Sequence, residues 1–275
     1  MPAAKLTLYC GLALFCAVAR ASMLQTIDTS ATDIAAIDKC VTLRFCYEDK
    51  QLLPYYAGNG QHIPDLPGAT IEHLRLAATK AGIALQLVRL PWLRCLQQLE
   101  DNNVDALVAA FDQDRAHYTV YPKRPDGSPD PAKAINQLGL CLAYRYDNSL
   151  PDNIDHPTNQ ITISRPFGYK PIPFPQNTVL VAANSPQQAL ELVVSGRVDA
   201  TTVLCELNGI KAKELHLDQL PVLLLYPALH KSDGYLMLSN DFYQRYPALS
   251  EQLWQSLPET LNKQRYLHYM TLTLD

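Results

Sequence analysis

Arg115, in the segment FDQDRAHY, is the side chain whose chemistry is easiest to state. A guanidinium is a planar fork of donors that matches a carboxylate with two charge-assisted hydrogen bonds. Arg115 could therefore hold an anionic ligand, or it could form a surface ion pair with Asp112 or Asp114. Spacing alone leaves both interpretations open.

Motifs for nucleophilic catalysis are absent from the sequence. It contains no G-x-S-x-G, S-x-x-K or H-E-x-x-H pattern and no glycine-rich phosphate loop. It has no C-x-x-C, and its seven histidines are scattered without metal-ligand spacing. We therefore expect a binding protein with no metal, no cofactor and no enzymatic activity.

The sequence pattern of the elements that would position such side chains occurs twice. The segment LPWLRCLQQLEDNNVDALVAAF is echoed further on by ANSPQQALELVVSGRVDATTV. In the first copy Pro91 opens an amphipathic helix and Asn102 ends it; in the second copy Pro186 and Gly196 take these roles. A buried strand is predicted after the first helix, in VDALVAAF.

A further strand precedes each copy, in IALQLVRL and in NTVLVAA, so each half reads strand, helix, strand. Such units form parallel sheets. Upstream, TLRFCYE reads as a strand and ATIEHLRLAATKAG as a helix capped by Thr70 and stopped at Gly82. After residue 220 come PVLLLYP and GYLMLSND, followed by amphipathic helix signals. This alternation predicts an α/β fold with two similar lobes, or with one larger sheet in which the same helix-to-strand pattern occurs twice.

The N-terminal stretch MPAAKLTLYCGLALFCAVARAS predicts a signal peptide over residues 1–21, with an extension over 22–39 and a periplasmic destination. No later segment is apolar enough for a membrane span. The formal net charge of −4 disfavours a nucleic-acid partner. Five cysteines would survive cleavage, an odd number that leaves at least one thiol unpaired: Cys40, Cys46, Cys95, Cys141 and Cys205.

The order of these pieces resembles bacterial periplasmic solute-binding proteins of the type 2 class, family 3, best known as polar amino acid receptors. The matching stretches are LRFCYEDKQLLPYY, PGATIEHLRLAATKAGIALQLVRLPW, VDALVAAF ahead of an arginine, and NSPQQALELVVSGRVDA. The resemblance implies two lobes, each a mostly parallel sheet flanked by helices, with the ligand cleft between them. Lobe 1 would be residues 40–138 and 236–275, and lobe 2 residues 139–235, joined by LGLCLAYRYD and GYLMLSND.

The resemblance also implies which residues meet the ligand. Arg115 would clamp an anionic group, and Gly168 and Tyr169 would present backbone amides in a glycine turn at the start of a helix. The other implied cleft residues are Tyr47, Glu48, Tyr55 with Tyr56, Trp92, Arg94 and Arg165. The alternatives are a core position for Trp92, loop packing for Tyr55 and Tyr56, and solvated surface charges for the arginines.

Two departures from the family pattern bear on the ligand. The hydroxyl residues usual before the arginine are replaced by Ala109, Ala110, Phe111 and Asp112, and the aspartate for a ligand amino group is replaced by Leu204. Glu206, two residues further, could substitute for it or cap a helix. We therefore expect a small polar ligand, anionic or zwitterionic, either amino-acid-like or a dicarboxylate, and the departures make an ordinary α-amino acid an unsafe assignment.

The resemblance places Cys46 and Cys95 on neighbouring elements, so we hypothesise a disulfide between them, while Cys141 and Cys205 are expected to be buried and unpaired. The implied function is a monomeric periplasmic receptor serving an ABC permease or a membrane sensor. The alternatives are a cyclohexadienyl dehydratase of the same fold, with Glu48 or Glu206 as acid or base if burial raised its pKa, and a sensory partner of a membrane signalling protein.

Overall fold

The two strand–helix–strand units form matching halves of one curled mixed sheet. The computed structural model describes residues 41–154, 156, 158–211 and 217–271. Within them the strands are β1 (Thr42–Glu48), β2 (Ala84–Leu90), β3 (Ala106–Ala110), β4 (Thr119–Val120), β5 (Asn136–Arg145), β6 (Ile161–Pro166), β7 (Thr178–Ala183), β8 (Ala200–Leu207), β9 (Ile210–Lys211) and β10 (Val222–Ser239). The helices are α1 (Ala69–Lys80), α2 (Trp92–Glu100), α3 (Leu150–Asn153), α4 (Pro186–Val194), α5 (Asn240–Arg245), α6 (Pro247–Thr260) and α7 (Lys263–Thr271).

The strand order is β2-β1-β3-β10-β5-β8-β6-β7. Read inwards from either edge, the order is the same: β1 lies between parallel β2 and β3, and β6 lies between parallel β7 and β8. The central strands β10 and β5 run antiparallel to each other and to their outer neighbours. The prediction of a two-lobe α/β fold is thus confirmed, with β1–β3 in lobe 1, β6–β8 in lobe 2, and β5 and β10 crossing between them. Most of PVLLLYP and of GYLMLSND lies in one continuous strand, β10.

The repeated helix signals act as predicted. Pro91 is the N-cap of α2, and Asn102, just beyond its end, has a left-handed φ of 57°. Pro186 is the first residue of α4, whose N-cap Ser185 accepts a hydrogen bond from the Gln188 amide, and Gly196 follows the helix with φ 69°. A left-handed residue ends each helix and turns the chain toward the next strand.

The aspartate of each V-D-A triplet ties its own strand to the first strand of the lobe. Asp105 Oδ2 accepts from the Arg44 backbone amide at 2.7 Å, and its carboxylate pairs with the Arg44 guanidinium. Asp199 Oδ2 accepts from the backbone amide and the hydroxyl of Thr162, each at 2.7 Å, while Oδ1 accepts from Asn148. The repeat therefore encodes the same architectural contact in both lobes.

The start of α1 differs from the prediction. Its N-cap is Gly68, with φ 112°, and a Cβ there would collide with the Tyr55 carbonyl. Thr70 lies inside the helix, where its hydroxyl is 3.4 Å from the Tyr266 hydroxyl, so the predicted cap is wrong. The predicted stop is correct, since Gly82 follows the helix with φ 73°.

Two disulfides join elements of the sheet. The Cys46–Cys95 bridge links β1 to α2 as predicted, with Cα atoms 5.6 Å apart. The prediction that Cys141 and Cys205 are unpaired is wrong, because they form a second bridge between the adjacent strands β5 and β8. The register of these strands shifts at Cys205, the extra residue of a bulge. Cys40 and the predicted signal peptide and extension lie outside the described residues.

The largest apolar cluster packs the sheet of lobe 1 against α1 and α6, around Phe45, Leu74, Leu238 and Trp254. The Trp254 indole is fully buried and donates to the Leu236 carbonyl at 2.8 Å. Helix α7 adds Tyr266 and other apolar side chains to a cluster shared with β8 and the start of α1. In the described part of the chain, every helix is too short or too polar to cross a bilayer.

Candidate functional site

A short segment of lobe 2, Gly168–Lys170, touches lobe 1 at three places; we call it the 168–170 segment. A Cβ built on Gly168 would lie 2.8 Å from the Leu93 side chain, so the backbone here packs closely on α2. Tyr169 donates its hydroxyl to Glu48 Oε2 at 2.8 Å. Lys170 donates to the Phe111 carbonyl at 2.5 Å. The carboxyl ends of β1, β3 and β6 therefore meet at this segment.

The prediction that a helix begins at the Gly168 turn is wrong. Gly168 has φ 80°, as a glycine turn requires, but no helix occupies the described residues from the turn to β7. Pro171, Pro173 and Pro175 follow within a few residues and lack the amide hydrogens that a helix needs. Any anion contact at this turn must come from side chains or isolated amides.

Glu48 is a buried carboxylate whose side chain meets the other lobe. It is 7% exposed, and this burial raises its pKa, while the hydrogen bond from Tyr169 acts in the opposite direction. Burial also raises the pKa of Tyr169 well above its ordinary value, and the neighbouring Glu48 charge adds to the effect. The tyrosine is thus firmly the donor and the glutamate the acceptor of this contact between lobes.

Arg115 lies near one of the two carboxylates weighed from the sequence, Asp112. Its side chain is 11% exposed, its Nη2 lies 3.8 Å from Asp112 Oδ2, and its guanidinium lies 5.9 Å from the Trp92 ring centre. Lys170 approaches the same Asp112 oxygen, also at 3.8 Å. Arg115 therefore has a carboxylate and an aromatic neighbour within lobe 1, and its role as a ligand clamp stays a prediction.

Arg165 differs from Arg115 in having no acidic partner among the described residues. It is half-buried at the end of β6, its guanidinium lies 5.7 Å from the Phe174 ring centre, and its Nε is buried with no hydrogen-bond partner. Burial lowers its pKa. The pKa of His230, on β10, is lowered by burial and then by the charges of Arg165 and Lys170. These three basic groups therefore lie near one another.

The predicted aromatic residues lie mostly in the core of lobe 1. Tyr47 is 1% exposed and packs on Tyr56 with ring centres 5.0 Å apart, and Arg89 lies above its ring. Tyr55 packs beside Tyr56 and belongs to the apolar surroundings of α7. Trp92 packs on the Cys46–Cys95 cluster as well as under Arg115. Packing accounts for the contacts of all these rings.

Two further predicted residues have other surroundings. Arg94 is exposed on α2, and its side chain makes no hydrogen bond or ion pair within the described ranges. Glu206 lies within β8, not at a helix start, and pairs with Lys231 at 2.6 Å. It lines a polar cavity of about 330 Å³ beside the crossing strands, together with Gln137 and Asp233.

Sequence reasoning missed Lys170, His230 and Phe174. Lys170 adjoins the predicted Gly168 turn, and that adjacency was the available signal. His230 and Phe174 lie in segments without a motif, so only the fold brings them to Arg165.

No protein-family model matches the chain, and no curated protein sequence matches it. Among solved structures, the periplasmic VFT2 domain of BvgS from Bordetella pertussis aligns with a TM-score of 0.58 at 12% identity, covering 84% of this chain and 92% of that one. The amino acid ABC transporter substrate-binding protein AbpA from Streptococcus pneumoniae, bound to L-arginine, aligns with a TM-score of 0.59 at 14% identity, covering 86% and 96%. The probable amino-acid ABC transporter extracellular-binding protein ytmK from Bacillus subtilis gives 0.58 at 11%, covering 84% and 98%. These likenesses establish the type 2 periplasmic binding fold.

Proposed function

We propose that the protein is a periplasmic solute-binding receptor of the family 3 type, closing its lobes on a small polar ligand that carries an anionic group. The observation that carries this proposal is Arg165. A half-buried guanidinium with no acidic partner in the described part of the chain is costly, and a bound carboxylate or similar oxyanion would compensate it. The cation lies beside the 168–170 segment, where the strand ends of both lobes meet, which is where open α/β sheets bind ligands.

The partners are proposed from proteins that share the fold. Structures of this fold include binding proteins of ABC transporters and a domain of BvgS, so we propose a permease or a membrane sensor as the partner of a monomeric receptor. The two disulfides support an exported protein, because such bonds persist in oxidising compartments. Light scattering of the purified protein would contradict the monomer if it gave a larger mass.

The receptor proposal is tested by thermal melting of protein refolded to remove any carried ligand. The panel contains amino acids, dicarboxylates, polyamines, sugars and cyclohexadienyl acids. A ligand at about 100 times its dissociation constant adds about 2.7 kcal/mol to the free energy of unfolding. We expect a stabilising compound whose effect is lost in Arg165→Ala and kept in Arg197→Ala, an exposed arginine of the same lobe. A panel without any stabilising compound would count against the receptor.

The alternative of a dehydratase would rest on Glu48. Its buried carboxyl has a raised pKa, which is what an acid or base working near neutral pH needs. A dehydratase would convert a cyclohexadienyl acid to an aromatic product that absorbs in the ultraviolet. We propose that the protein lacks this activity; turnover that disappears in Glu48→Gln would reverse this assignment.

A further inference from the structure

The carboxylates of lobe 1 that face the 168–170 segment already have partners from the protein. Asp112 has two cations near it, Arg115 and Lys170, each 3.8 Å from Oδ2. Glu48 accepts the Tyr169 hydroxyl at 2.8 Å. A ligand ammonium arriving here would therefore have to displace a side chain of the protein.

Lys170 provides an internal ammonium at this place. Its Nζ lies 2.5 Å from the Phe111 carbonyl oxygen, close to Asp112, whose side chain is 18% exposed. A carbonyl and a carboxylate together form the kind of acceptor set that binds an ammonium group. The lysine thus occupies the acceptors that an amino-bearing ligand would use.

Within the described residues, the Arg165 guanidinium has no such compensation. Arg165 lacks an acidic partner among the residues the structure describes, and its charge together with that of Lys170 acts on His230. An ammonium placed near these groups would be repelled, whereas an oxyanion would be attracted. Asp49 follows Glu48 in the chain, and its Oδ1 is buried without a hydrogen-bond partner.

We infer that the ligand is an oxyanion without an ammonium group, such as a mono- or dicarboxylate. Arg165 meets the charge of this ligand, and Lys170 occupies the acceptors of Phe111 and Asp112 that a ligand ammonium would use. This inference rests on the proposed function. It separates the protein by ligand class from AbpA, whose structure holds L-arginine.

The test uses matched pairs of compounds that differ only in the amino group: succinate and aspartate, glutarate and glutamate, hexanoate and norleucine. Binding to refolded protein is measured by calorimetry and melting, with compounds up to about 10 mM so that millimolar dissociation constants are detected. In the wild type we expect at least one des-amino member to bind at least about tenfold more tightly than its amino partner.

The variant Lys170→Met should narrow or reverse that preference, because it frees the acceptors of Phe111 and Asp112 for a ligand ammonium. Lys211→Met, at an exposed lysine of the same lobe, should leave the preference unchanged. If Lys170→Met melts far below the wild type, Lys170→Gln takes its place. Asp49→Asn tests whether Asp49 binds a ligand ammonium. Only in that case would this change weaken the binding of the amino compounds.

Three results would overturn the inference. If an amino member binds as tightly as its partner or more tightly in the wild type, the inference fails and the receptor proposal stands. If the preference for the des-amino compound is the same in Lys170→Met and Lys211→Met, Lys170 does not determine it. If no compound of any pair binds while sugars or polyamines bind, the ligand is not anionic, and both proposals are wrong on this point.

Discussion

Replacing Tyr169 by phenylalanine removes the hydroxyl that joins the two lobes at Glu48. The bond is 2.8 Å long and its acceptor is 7% exposed, so water cannot readily supply another donor. A hydrogen bond to a charged group contributes about 1.5–3 kcal/mol, against about 0.5–1.5 kcal/mol for a neutral pair. With Glu48 ionised, we therefore expect Tyr169→Phe to lower the free energy of unfolding by about 1.5–3 kcal/mol.

This loss should depend on pH. Burial raises the pKa of Glu48 in the folded protein, so its ionisation costs stability as the pH rises through the folded value. Without the Tyr169 hydroxyl, which opposes the effect of burial, the pKa of Glu48 should rise further. Acidification then protonates the variant first and stabilises it relative to the wild type, so the difference between the two should shrink.

The assay is urea unfolding of both proteins at about pH 8 and at about pH 4.5, close to the ordinary pKa of glutamate. Tyr146→Phe is the matched control, because this tyrosine of lobe 2 is 66% exposed. Surface changes usually stay within about 0.5 kcal/mol. A Tyr169→Phe loss no larger than that of the control, or one that is equal at both pH values, would refute the reasoning.

Three further predictions concern the frame of the site. The Cys141–Cys205 bridge spans 64 residues, and its replacement by two alanines should lower the free energy of unfolding by up to about 4 kcal/mol, as measured by urea unfolding. Burial alone would raise the pKa of Asp199, but its hydrogen bonds lower it overall, so Asp199→Asn should be destabilising at neutral pH and lose this effect as the pH falls below about 3.9. Gly168→Ala should push the lobes apart through contact with Leu93, seen as a larger radius of gyration in X-ray scattering.

Each of these has a specific contrary outcome. Alkylation of Cys141 and Cys205 without reductant would exclude the bridge. An Asp199→Asn deficit that persists in strong acid would exclude the charged form as its source. Gly127→Ala is the control for Gly168→Ala, because Gly127 has a similar φ of 84° with open space around it. Equal scattering from these two variants would show that contact with Leu93 does not set the spacing of the lobes.

The helices of the repeat were predictable because their signals are local. Pro91 is the N-cap of α2 and Pro186 the first residue of α4, and Asn102 and Gly196 take the left-handed conformation that ends a helix. The prediction of Thr70 as the cap was wrong, although a hydroxyl residue near a helix start is a common cap. The N-cap position must be the glycine Gly68, because the Tyr55 carbonyl approaches it closely. Contacts across the fold overrode a local preference there.

The Cys141–Cys205 bridge was not predictable from local signals. Both residues lie in strands that read as buried, but their pairing depends on β5 lying beside β8 and on a bulge at Cys205. Cys46 and Cys95 were easier to place, because the family resemblance puts the strand and the helix that carry them side by side.

The candidate site was predictable by residue type more than by partner. Glu48 and Tyr169 were both singled out, but their contact depends on how the two lobes lie against each other, which spacing along the chain does not encode. The same holds for Lys170, whose partner Phe111 lies 59 residues earlier. Roles in ligand binding stay predictions for all these residues.

The Cys141–Cys205 bridge also limits where the molecule can bend. β5 pairs with β8 of lobe 2 from Leu138 onward, the bridge at Cys141 adds a covalent link to that pairing, and the facing strand β10 resumes its pairing with β5 at His230. Five residue pairs, from Asn136–Gly234 to Leu140–His230, lie between this bridge and the sheet of lobe 1. The bridge therefore adds a covalent link beside the segment where the strands cross between the lobes, and an oxidising compartment keeps that link closed whereas a reducing one would open it.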